Sequence, residues 1–146
     1  MKVELEIKPK YNEPEIHICN NKADDNTRKL RRVVLEAVDG SIVAYDGDNS
    51  IFIRHSEIVR IFSSNKNVYV STDAGEYRIK ERLYEMEEKL DGIRYVRISN
   101  SEIVNVRKLL KLDTSLAGTI KMYFKNGQET YVSRRYVPKI KKALGI

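Results

Sequence analysis

Arg97-Ile98-Ser99-Asn100-Ser101-Glu102-Ile103-Val104-Asn105-Val106, followed near the C-terminus by Tyr131-Val132-Ser133-Arg134-Arg135-Tyr136, decides how this chain is read. Each stretch is a short apolar strand segment bordered by side chains that form forked hydrogen bonds. The first carries a carboxamide and the second a pair of guanidiniums. These groups match the edges of base pairs in a duplex, and both stretches lie in the basic part of the chain. The chemistry points to duplex DNA.

The 146 residues suffice for one domain, or one domain with a small appendage, and for a real core without staples. Cys19 is the single cysteine, which excludes an internal disulfide framework and a cysteine-rich zinc site and fits a reducing compartment. No apolar run approaches the roughly 18 to 20 residues that span a bilayer. Met1-Lys2-Val3-Glu4-Leu5-Glu6 alternates, unlike a signal peptide, so the expected location is cytoplasmic.

The formal charge of +6 is unevenly spread. Residues 1–49 hold 8 Lys+Arg against 10 Asp+Glu, a net of −2, and the remainder holds 19 against 11, a net of +8. Residues 92–146 hold 12 against 3, a net of +9. Gathered on one face, these cations attract phosphate; spread out, they are an ordinary solvated surface.

Periodicity predicts many short strands and few helices. Val3–Ile7 and Glu15–Cys19 alternate as half-buried strands do, and Asp24 or Asp25 is placed to cap a helix running to about Ala37. In that helix Leu30, Val33, Val34 and Ala37 share a stripe. Ser41–Tyr45 is a strand between two Asp-Gly turns, the second of which marks the expected boundary between residues 1–49 and 50–146. Strands follow at Ile51–Arg54, Ile58–Ser63, Asn67–Thr72 and Glu76–Lys80, with Asp73-Ala74-Gly75 as a hairpin turn. Leu83–Leu90 is a helix, Val104–Asp113 a turn and strand, and Asn126-Gly127 joins strands Thr119–Phe124 and Gln128–Val132. A short basic helix closes the chain, with Ser133 as candidate cap and Pro138 in its first turn. The expected class is α+β, mostly antiparallel β, with a small N-terminal α+β extension.

The second half resembles the LytTR domain, the DNA-binding domain of the LytR/AlgR class of bacterial transcription regulators. Its Arg-x-polar-x-Ser-x-x-Val-Asn stretch corresponds to Arg97–Asn105, and its Asn-Gly hairpin with a Val-Ser-Arg-Arg-Tyr ending corresponds to Asn126–Tyr136. The resemblance covers about Ser50 to Ile146. Most members carry a long N-terminal receiver domain, whereas about 49 residues precede the region here, which implies a stand-alone form. Some members also place a base-contacting histidine in the loop that is here Asn65-Lys66-Asn67-Val68, and Val68 offers no such bond.

The resemblance implies an elongated stack of small β-sheets, about ten strands in all, whose loops enter successive major grooves. It makes Asn100 the adenine reader, through N6 and N7; the alternative is a turn asparagine bonding its own backbone. Arg135 is the corresponding guanine reader, through O6 and N7. Asn65, Lys66, Asn67, Arg97, Ser99, Ser101, Ser133, Arg134, Tyr136, Lys139, Lys141 and Lys142 are expected on the phosphates or in support, contacts that position without specifying. For each of these singly, the alternative is a surface or packing residue.

The expected function is sequence-specific regulation of transcription, with double-stranded DNA as partner, repeated half-sites read as a homodimer, and an integral-membrane regulatory partner suggested by the resemblance. Residues 1–49 have no assignable motif and are expected to serve dimerisation or docking. The alternative from another class is a non-catalytic protein-interaction module using its β-sheet edges. Catalysis, cofactors, metals and a small-molecule substrate are not expected. His17 and Cys19 share a strand face but lack further ligands, and there is no phosphate loop, nucleophile elbow or paired-carboxylate motif.

Overall fold

Alternating apolar side chains and frequent turn residues fold this chain into ten short strands and three helices. The computed structural model describes residues 1–146, the side chains of residues 36 and 37 excepted. Its packing divides into two units, Met1–Val38 and Asp39–Ile146.

Helix α1 (Asp25–Asp39), which lies in the first unit up to its last residue, starts as its sequence requires. The Asp24 carboxylate accepts the Thr27 backbone N–H at 2.8 Å and its hydroxyl at 2.7 Å. Those bonds hold the Asp24 pKa below its usual value, the backbone bond contributing most. Leu30 and Val34 are half-buried and Val33 is exposed, while Ala37 of the expected stripe lies outside the described side chains. The two expected strands at Val3–Ile7 and Glu15–Cys19 do not form among the described residues. Val3, Leu5 and Ile7 are over four-fifths exposed. Alternation supplies a strand with an apolar face, but without a ladder partner and a surface to cover, that face has no reason to order.

The second unit begins with β1 (Ser41–Asp46) and β2 (Asn49–Arg54), a hairpin in full register. It continues through β3 (Arg60–Ser64), β4 (Asn67–Ser71), β5 (Glu76–Ile79), helix α2 (Leu83–Lys89), β6 (Tyr95–Ser99) and β7 (Glu102–Asn105). These strands make one antiparallel sheet in the order β2-β1-β5-β4-β3-β7-β6. The β1–β5 junction is a single residue pair, Tyr45 with Arg78, so the first hairpin hangs on a five-stranded sheet. A second sheet, β10-β9-β8, is built from β8 (Leu109–Asp113), β9 (Ile120–Phe124) and β10 (Glu129–Val132), and helix α3 (Val137–Leu144) ends the chain. The structural division after Val38 therefore falls ahead of the boundary at 49/50 expected from the turns, because β1 pairs forward into the sheet.

Two cores hold the layers together. Ile61, Val70, Ile79 and Ile103 face Leu83, Met86 and Leu90 around α2, which repeat at the helical spacing the sequence shows. On the opposite face, Val59, Val96, Ile98 and Val104 meet Ile120, Met122, Phe124, Val132 and Ile140 from the small sheet and α3. Strand β7 lies between both cores, and all four of its residues are buried. Full burial of each such aliphatic side chain contributes about 1.5 to 3 kcal/mol.

A polar seam joins the two sheets. Arg60 donates to Glu102 at 2.8 Å and to Gln128 at 3.2 Å, Ser71 bonds Gln128 at 2.9 Å, and Thr130 donates to Glu102 at 2.8 Å. Gln128 reaches this seam from the Asn126-Gly127 hairpin, where Gly127 has φ +89°. At the C-terminus, Pro138 sits in the first turn of α3 as expected. Ser133 makes no side-chain cap bond; a single 3-10 turn, Arg134–Tyr136, intervenes, and the helix starts after it.

Candidate nucleic-acid interface

The β6–β7 turn is built from short polar side chains and one arginine. Ser99 accepts the Ser101 backbone N–H at 3.1 Å, and the strand register shifts between Arg97 and Ser99, which turns the end of β6. The Arg97 guanidinium grips the turn from below. It donates to the Ser99 carbonyl at 2.7 Å, to the Asn100 carbonyl, and to Glu87 at 2.8 Å. Its side chain is only 15% exposed, so its donors are directed into the fold. Asn100, at the crest, is exposed.

The C-terminal motif meets this turn although it lies far away in sequence. The Ser133 backbone N–H donates to the Ile98 carbonyl at 3.0 Å, which docks the chain leaving β10 against β6. The Tyr136 hydroxyl then donates to Asn100 Oδ1 at 3.1 Å. Arg135, between them, is exposed. Arg134 is turned elsewhere, since its Nε lies 3.2 Å from where a Cβ on Gly118 would stand.

Other expected residues fall at the same end of the sheet. Because β3 runs antiparallel to both β4 and β7, the β3–β4 turn lies on the side of the β6–β7 turn, and the Ser63 N–H donates to the Ser101 carbonyl at 2.9 Å. That turn is Asn65-Lys66, both exposed, with φ +50° and +67°. Two consecutive left-handed residues are the conformation a two-residue hairpin loop needs, and asparagine tolerates it best after glycine. Asn67 is half-buried, and Val68 is buried in the core at 5% exposure. Lys139, exposed, lies 3.7 Å from the Glu87 carboxylate that also takes Arg97. Lys141 and Lys142 are exposed on α3 without an ion-pair partner among the described residues.

Lys80 and Arg82 were not singled out by the sequence motifs. The β4–β5 register, Val68 with Ile79, brings them beside Lys66, and Arg82 donates to the Lys66 carbonyl at 3.4 Å. The signal was present in the Asp73-Ala74-Gly75 hairpin, which sets the register and hence the position of the residues just after β5. Together Lys66, Arg78, Lys80 and Arg82 line a shallow groove at this end. The arrangement offers a carboxamide and a guanidinium at two neighbouring crests, flanked by cations. Among the described residues, no cluster of three or more His, Cys, Asp or Glu is placed to hold a metal ion, and no helix is long and apolar enough to cross a membrane.

Comparison with known proteins gives a consistent picture. The family model for the LytTr DNA-binding domain matches residues 48–145. A protein of Staphylococcus aureus strain NCTC 8325 / PS 47, named as an uncharacterized HTH-type transcriptional regulator, is 36% identical over 148 residues, covering 100% of this chain and 99% of its own. A counterpart with the same style of name in the bovine strain RF122 / ET3-1 is 35% identical over 147 residues, with the same coverage. A solved LytTr DNA-binding domain from Bacillus cereus superposes with a TM-score of 0.71 at 24% identity, covering 73% of this chain and 97% of that one, which establishes the likeness of fold.

Proposed function

This chain belongs to the LytTr DNA-binding domain family, and from that premise we propose that it regulates transcription by binding specific sites in double-stranded DNA. The observation that carries the reading is the meeting of two distant motifs at one end of the sheet, where Tyr136, the chain neighbour of Arg135, donates to Asn100 and both Asn100 and Arg135 are exposed. A carboxamide fits adenine N6 and N7, and a guanidinium fits guanine O6 and N7, both in the major groove. Asn100 and Arg135 therefore read bases, while Lys66, Lys139 and Lys142 contact phosphates, Arg134 supports the turn from its place beside Gly118, and Asn65, Asn67, Ser99, Ser101 and Ser133 line the approach.

The readers sit on turns. The relatives are called HTH-type, yet among the described residues no two helices are joined by a tight turn, and five strands separate α2 from α3. Base recognition in this chain accordingly falls to the β6–β7 turn and the 3-10 turn before α3. By the same family reading, the protein acts as a homodimer on repeated half-sites, residues 1–49 supply association or docking, and an integral-membrane protein is the regulatory partner.

The test is binding of the full chain to a duplex selected from a randomised library and to bulk DNA across salt concentrations. A clear preference for the selected site, with log K falling steeply against log salt, supports the reading. Absence of duplex affinity at low salt would favour a protein-interaction module, for which the edge strand β2 with Phe52 77% exposed is the available surface.

A further inference from the structure

An exposed asparagine is a poor reader by itself, because its carboxamide samples several rotamers and must be immobilised when it meets a base. Here one hydroxyl is already bonded to it. Tyr136 donates to Asn100 Oδ1 at 3.1 Å across 36 residues of sequence. Its ring packs against the second core, and its backbone N–H is bonded to the Ser133 carbonyl at 2.8 Å, so the phenol is itself held in place. From below, Arg97 fixes the carbonyls of Ser99 and Asn100. An amide oxygen has two acceptor sites, so the bond from Tyr136 leaves one of them and both N–H donors of Asn100 free to face a base.

We propose that Tyr136 is a positioning residue for base recognition, which pre-orients the Asn100 carboxamide and fixes its spacing from Arg135, the immediate chain neighbour of Tyr136. The proposal rests on the assignment of Asn100 as a base reader. It differs from a phosphate-contacting role for Tyr136, since its hydroxyl acts on the duplex only through Asn100. Pre-orientation removes the cost of ordering one side chain on binding, worth about 3- to 10-fold in affinity for the selected site.

The experiment is a double-mutant cycle with the full chain on a library-selected duplex and a scrambled duplex of the same length. Tyr136→Phe keeps the ring and removes the hydroxyl. It is expected to weaken binding to the selected duplex about 3- to 10-fold, to leave the scrambled duplex unaffected, and to have no further effect in the Asn100→Ala background. An unchanged affinity in Tyr136→Phe, or a loss that persists in the Asn100→Ala background, overturns the proposal. Asn100→Ala alone separates the two levels: if it weakens selected and scrambled duplexes alike, the base-reader assignment fails and the proposal with it. A measurement without DNA guards against altered folding. The side-chain amide resonances of Asn100 should gain fast mobility in Tyr136→Phe at an unchanged backbone spectrum, and unchanged mobility would overturn the pre-orientation.

Discussion

Two asparagines of one motif do opposite work. Asn100 stands exposed at the crest of its turn, while Asn105 is 2% exposed and fully engaged, donating to the Ile58 carbonyl at 2.9 Å and accepting the Arg107 N–H at 3.0 Å. Asn105→Ala should therefore cost stability, about 1 to 3 kcal/mol for the buried groups left without partners, as read from urea unfolding. The folded variant should keep the wild-type base preference; altered preference at wild-type stability would move Asn105 to the interface. The lysines are tested by salt. Lys139→Gln and Lys142→Gln should weaken binding to all sequences alike, and each should reduce the salt slope by about one unit for a lost phosphate contact. An unchanged slope would place that lysine away from the duplex, and Lys139, beside Glu87, is the more demanding case.

At the scale of elements, the β3–β4 turn separates stability from binding. Lys66 holds φ +67°, a conformation glycine adopts without strain. Lys66→Gly should leave stability equal or higher in thermal melting, yet reduce the salt slope by about one unit. Gly40 gives the converse case. It has φ +68°, and an added Cβ would stand 2.9 Å from the His55 ring, so Gly40→Ala should destabilise by at least about 1 to 2 kcal/mol. A wild-type melting temperature would show that the α1–β1 connection adjusts freely. Elements with local signals were legible in the sequence: the Leu83, Met86, Leu90 spacing of α2, the Asp73-Ala74-Gly75 and Asn126-Gly127 hairpins, and the Asp24 cap. Features that depend on distant partners were not. Val3–Ile7 alternates as well as any strand of the sheet but has no ladder, Ser133 serves through its backbone and not as a cap, and nothing in the β7 pattern states that it lies between β3 and β6. The same holds for the site. Asn100 and Arg135 stood out by residue type and motif, whereas the Tyr136 hydrogen bond and the placement of Lys80 and Arg82 arise only from pairing.

For the whole molecule, the division after Val38 decides where the N-terminal segment can be removed. Deleting Met1–Val38 should leave a folded chain that keeps its half-site preference, whereas deleting Met1–Asp48 removes Ile42 and Ala44, 4% and 0% exposed, and should lower the melting temperature sharply. If the segment joins two copies, the shorter deletion should also lower affinity for a duplex with two half-sites, because linked sites gain from effective concentration. Unchanged cooperativity would leave docking to a regulatory partner as its role. The central claim, that two turns at one end of the sheet read DNA sequence, is tested most directly by titrating Asn100→Ala and Arg135→Ala against selected and scrambled duplexes at fixed salt. The account predicts that each variant loses about 1 to 3 kcal/mol on the selected duplex and far less on the scrambled one. Equal losses on both duplexes would contradict it.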